Sequence, residues 1–171
     1  MANSGQFTGK YRGTVLNNID PMQMGRIMAQ VPDVAAMQPT SWAMPCAPFG
    51  GTQSGAFHVP PIGASVWIEF EHGNPDYPIW SGCFWGSAAE VPPLALAGPP
   101  GLQQIVLQST GQNALMLSDT PGPTGGLLLK SSTGAMISIN SVGITISNGQ
   151  GATITLIGPS VTINNGALMV T

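Results

Sequence analysis

The chain has 171 residues, 43% of them hydrophobic and only 6% charged, against roughly 25% charged in an ordinary globular protein. That length allows one or two small domains, and the hydrophobic content excludes a disordered chain. Four basic residues and a net charge of -3 exclude a nucleic-acid binder, which needs clustered Lys and Arg.

The N-terminal residues Met1 to Gln6 lack the basic and apolar pattern of a signal peptide, and no apolar run approaches the ~20 residues of a membrane helix. Production in the cytoplasm is the expectation. In the first half, Tyr11 to Leu16 and Arg26 to Val31 read as strands, joined by an Asn- and Pro-containing turn in which Gly25 can take a positive φ. A third strand covers Ser65 to Glu71, where Val66, Ile68 and Phe70 alternate with Trp67 and Glu69. A fourth runs from Pro78 to Phe84, after a tight connection at His72 to Asp76. No stretch sustains a 3.6-residue period, so helix is limited to a turn or two. Short strands punctuated by Gly and Pro predict a small five-stranded barrel of the oligonucleotide/oligosaccharide-binding (OB) type over residues 1–87.

Pro92-Pro93 and Gly98-Pro99-Pro100-Gly101 mark a linker at 88–102. Nine of the eleven charged residues lie at or before Glu90. Beyond the linker, over 103–171, a three-residue unit keeps returning: Ile105-Val106-Leu107, Leu115-Met116-Leu117, Leu127-Leu128-Leu129, Ile137-Ser138-Ile139, Ile144-Thr145-Ile146, Ile154-Thr155-Leu156, Val161-Thr162-Ile163 and Leu168-Met169-Val170. In a strand the outer residues of each unit share one face. The starts are separated by 10, 12, 10, 7, 10, 7 and 7 residues, too uneven for a solenoid of identical coils. Units this short need cover from neighbours or from other chains, and three-chain winding would also remove exposed strand edges. Closure between chains is non-local, so slow folding and high kinetic stability are expected.

Tyr11-Arg12-Gly13-Thr14-Val15, Asp20-Pro21, Gly25-Arg26-Ile27, Val31-Pro32 and Ser41-Trp42-Ala43 stand in one ordered series that continues through Pro61 to Phe70 and Gly73 to Gly82. On these residues the first domain resembles the barrel of phage baseplate assembly protein V and of the valine-glycine-repeat spikes of type VI secretion and contractile injection systems. Ala64-Ser65 stands where the family often has an acidic pair, and Asn74 where it often has Asp. The resemblance implies an all-β, non-enzymatic homotrimer: an OB-fold-like barrel followed by an intertwined trimeric β-helix or β-prism. It further implies a central spike that docks on the tail-tube hub and pierces the target envelope when a sheath contracts. The protein would then be a component of a virion baseplate or injection particle.

On this reading Arg12, Arg26, Asp20, Trp67 and Trp80 are the candidate subunit or hub contacts, with Asp20 also fixing a turn. Leu168, Met169, Val170 and Thr171 are the candidate contacts for a separate tip protein like the proline-alanine-alanine-arginine (PAAR) cone of related spikes. No cofactor or metal is expected. His58 and His72 have no second ligand at a recognised spacing, and Cys46 and Cys83 read as reduced, buried thiols. Glu69 and Glu71 share a strand face but lack the opposed geometry that flanks a sugar bond. No nucleophile elbow is present. The alternative is a β-solenoid carbohydrate-binding or adhesion module with an OB-type barrel.

Overall fold

The computed structural model describes residues 6–170, as two compact units that divide between Gly86 and Ser87. In the first, β1 (Tyr11–Asn17) and β2 (Met28–Gln30) are followed by a single helical turn, α1 (Pro32–Ala35). Then come β3 (Met44–Pro45), a small hairpin of β4 (Gly50–Gly51) and β5 (Ser54–Gly55), β6 (Ser65–Phe70) and β7 (Pro78–Cys83). Five strands pair in the order β2-β1-β6-β7-β3. Its two ends meet: Ile27 and Ala43 exchange backbone hydrogen bonds of 3.2 and 2.7 Å, which closes the sheet into a barrel.

The interior follows from alternation. Val66, Ile68 and Phe70 of β6 point inward and join Val15, Ile27, Ala29, Val31, Ala43 and Trp80 in one core. The third strand stops one residue short of the expected end, because Glu71 already opens a 3-10 turn in which His72 and Gly73 take positive φ. Glu69 and Glu71 therefore do not share a strand face; Glu69 pairs with Lys10 at 2.6 Å. Cys46 and Cys83 are exposed in the chain rather than buried, since each sits at the end of a barrel strand where side chains leave the core.

The second unit begins with 3-10 turns at Ala88–Glu90 and Pro93–Leu96. Eight strands follow: β8 (Gln104–Gln108), β9 (Ala114–Ser118), β10 (Gly126–Lys130), β11 (Met136–Ile139), β12 (Ile144–Ser147), β13 (Thr153–Ile157), β14 (Ser160–Ile163) and β15 (Leu168–Val170). Each coincides with one of the eight sequence units. They form a single antiparallel meander in chain order. Every strand thus finds its backbone partners among its sequence neighbours. Pairing within this sheet is local throughout.

Asn side chains shape the connections, as their turn chemistry predicts. Asn140 accepts from the backbone N–H of Val142 and Gly143, and Asn148 from those of Gln150 and Ala152. Gly126, at φ +81°, leads from a turn into β10 beside the carbonyl of Ile139, where a Cβ would collide.

Candidate subunit and docking surfaces

The register aligns the outer residues of the eight units into two uninterrupted columns. One is Ile105, Leu117, Leu127, Ile139, Ile144, Leu156, Val161 and Val170. The other is Leu107, Leu115, Leu129, Ile137, Ile146, Ile154, Ile163 and Leu168. Both lie on one face, and most of their side chains are exposed in the single chain, Leu107 at 64% and Leu129 at 50%. A groove of about 550 Å³ runs along the second column from Leu107 to Ile146. Fully burying one Leu or Ile is worth about 1.5–3 kcal/mol, so covering two per strand over eight strands is a large driving force. A continuous apolar face of this kind marks an interaction surface.

The opposite face changes character along the sheet. Met116 is buried, and with Leu128 and Met136 it lines a cleft whose other wall includes Leu94 and Ala97. Further on, the central positions are Ser138, Thr145, Thr155 and Thr162, which need no apolar cover. Leu168 and Val170 are exposed on β15, Met169 pairs through its backbone with Thr162, and Thr171 lies outside the described residues.

In the barrel the five candidate contacts separate into three environments. Asp20 and Arg26 hold each other: Arg26 Nη2 is 2.6 Å from Asp20 Oδ1, and Nε donates to both carboxylate oxygens at 3.1 Å. The Asp20 side chain is only 3% exposed and also accepts from the backbone N–H of Met22, Met24 and Arg26, which fixes the loop between β1 and β2. The Arg26 pairing first, and the backbone donors with it, hold the Asp20 carboxyl well below the usual carboxylate range against the opposing effect of burial. The same pair pushes the Arg26 guanidinium further up, and its Cζ lies 5.5 Å from the centre of the Trp42 ring. Arg26 is therefore engaged within its own chain.

Trp80 is inside the barrel, 2% exposed, with Nε1 donating to the Gly25 carbonyl at 3.1 Å. A residue so placed does not reach a partner, and the expectation of a surface contact is corrected for it. Ile68 faces Trp80, so Trp80 shares the inward side of Ile68 while its neighbour Trp67 takes the opposite side, and a register shift between Trp67 and Ile68 leaves Ser81 unpaired. Trp67 lies on the outer side. It packs against Phe84 at 4.7 Å, and the exposed Arg12 guanidinium lies 5.6 Å from one ring and 5.1 Å from the other.

A further surface has no counterpart among the candidates. Met24, Phe49, Phe57 and His58 surround a cleft of about 420 Å³ beside the β4–β5 hairpin, with Phe49 65% and Phe57 74% exposed. The signal for it was the pair of aromatics bracketing a glycine-rich hairpin, Phe49-Gly50-Gly51 and Gly55-Ala56-Phe57. Among the described residues no three His, Cys, Asp or Glu side chains converge as metal ligands, and no helix is long and apolar enough to cross a membrane.

A self-contained OB barrel joined to a sheet whose apolar face awaits other copies defines a structural, oligomer-forming protein. Residues 11–85 match the model of the type VI secretion system/phage-baseplate injector OB domain, and residues 104–169 match that of the phage baseplate V C-terminal trimerisation domain. The chain belongs to the phage baseplate V family, as a spike-type protein of an all-β fold whose trimerisation domain supports a homotrimer. No curated protein matches it.

Proposed function

We propose that this protein is the non-enzymatic central spike of a contractile tail or injection particle. Three barrels form its collar on the tube hub, and three sheets form a β-prism directed at the target envelope. Sheath contraction supplies the work, and the prism transmits it. The observation that carries this reading is the pair of unbroken aliphatic columns, a face that other copies of the same low-charge sheet can cover without leaving buried charge. The outer side of the barrel at Arg12, Trp67 and Phe84 supports a hub or subunit contact. The exposed Leu168 and Val170, on a strand with one unpaired edge, support a separate tip protein.

Light scattering of the full chain tests the first step and is expected to give three times the chain mass, with a band that resists detergent until boiled. Particles assembled with Ile146→Asp in this chain are expected to form tails yet fail to breach target cells. Normal killing by such particles, or peptidoglycan lysis by the purified chain, would overturn the reading.

A further inference from the structure

The Ser87–Thr171 unit carries three charged residues, Glu90 ahead of the sheet and Asp119 and Lys130 in it. Those two occupy one hairpin. Asp119 follows the last residue of β9, and Lys130 is the last residue of β10. Ser118 pairs with Gly126 and Ala114 with Lys130, so the acid and the base stand at opposite margins of the sheet in adjacent strands. Four residue steps of about 3.3 Å separate the margins by ~13 Å, too far for an ion pair within the chain. Both residues are exposed, and the salt bridges found among the described residues join other side chains.

The aliphatic columns run along the ladder, across the strands. Eight strands at about 4.8 Å make a face ~34 Å long, more than twice the width of its three- to five-residue strands. Three such faces cover one another around an axis parallel to the columns. Rotation about that axis leaves height along it unchanged, so each strand of one copy stays level with the same strand of its neighbours. In a closed ring each copy gives one margin to one neighbour and the other margin to the next. The Asp119 margin of one copy therefore meets the Lys130 margin of another, one strand apart.

We propose that Asp119 of each copy pairs with Lys130 of the adjacent copy at the three corners of the prism, setting the order in which the faces join. The pairs are exposed and modest in strength, but they are the only opposite charges in the sheet, and a misassembled ring leaves them unmatched. This inference rests on the three-fold reading of the sheet face, and the tests separate the two.

The full chain is first sized by light scattering; any mass other than a trimer overturns both ideas. With Cys46 and Cys83 replaced by Ser, the chain carrying Asp119→Cys and Lys130→Cys together is treated with a short bis-maleimide. Covalent trimers on a denaturing gel are expected, with none from either single cysteine variant. A trimer by scattering that yields no covalent trimer overturns the corner pairing alone. Asp119→Lys or Lys130→Asp should each speed dissociation about tenfold at low salt, the double exchange should restore the original rate, and the difference should shrink at about 1 M salt. Equal rates in all four chains overturn the proposal.

Discussion

In the barrel, Ile27, Val31 and Ile68 have no exposed surface, whereas in the sheet Ile105, Leu107 and Leu129 keep half or more of theirs open. Both regions spend their sequence on the same thing, alternating apolar residues on short strands. The barrel closes on itself through Ile27 and Ala43, so its core is complete within one chain. Among the described residues the eight-stranded sheet ends in the edge strands β8 and β15 and leaves one apolar face uncovered, so its folding is expected to be linked to assembly and to depend on concentration. Two domains built on the same alternation thus differ in what they require, and the difference lies in closure rather than in the presence of apolar strands.

Breaking the sheet side of this contrast is expected to have the largest effect. Ile146→Asp puts a carboxylate into the middle of a column and, in a trimer, buries three unpaired charges. Loss of the trimer and of the sheet's strand signal is expected, read by light scattering and circular dichroism, with the barrel still melting cooperatively. A retained trimer would show that the columns are not the subunit face. On the barrel side, Ile68→Ala should lower stability by about 2–5 kcal/mol in denaturant titration while the trimer mass is unchanged.

The pH response should belong to the barrel as well. Asp20 is held below its ordinary value, so its contribution is fully present above about pH 4 and is lost as pH falls through the depressed value. Barrel unfolding midpoints should therefore drop on acidification below about pH 4, and Asp20→Asn should flatten that acid slope. The smallest effect is expected from Arg12→Ala, which removes contacts with Trp67 and Phe84 worth about 0.5–1 kcal/mol at an exposed site. If its effect on binding to the isolated hub exceeds its effect on stability, the outer ring cluster is a docking surface.

The sheet was legible almost residue by residue, because a half-buried strand shows its period of two directly and every unit is bounded by Gly, Asn, Ser or Pro. In the barrel, Val66, Ile68 and Phe70 were legible for the same reason. The strands β3, β4 and β5 were not: each is two residues long and contains Pro or Gly, too short to show a period, and β3 exists only through its pairing with β7, far on in the sequence. The placement of Trp80 needed the strand pairing, since it is its position opposite the inward Ile68 that carries it into the core. The Phe49 and Phe57 cleft has a local signal, the glycine-rich hairpin between the two rings, but its other wall at Met24 and His58 comes from other parts of the chain. Likewise the turn at Pro93–Leu96, whose composition reads as a connector, touches β8 instead.

Because each strand of the meander is tied only to the strands before and after it in sequence, the length of the sheet is a quantity that mutation can set in steps. Excising β12 and β13, residues 144–157, would bring β14 against β11 in the same antiparallel sense and shorten the stack by about 10 Å. Removing one strand alone would instead reverse the direction of everything downstream. Duplicating a hairpin would lengthen the stack by the same increment and leave the barrel and the Asp119–Lys130 tier untouched. Reach can therefore be tuned two strands at a time, like a ruler extended by whole divisions.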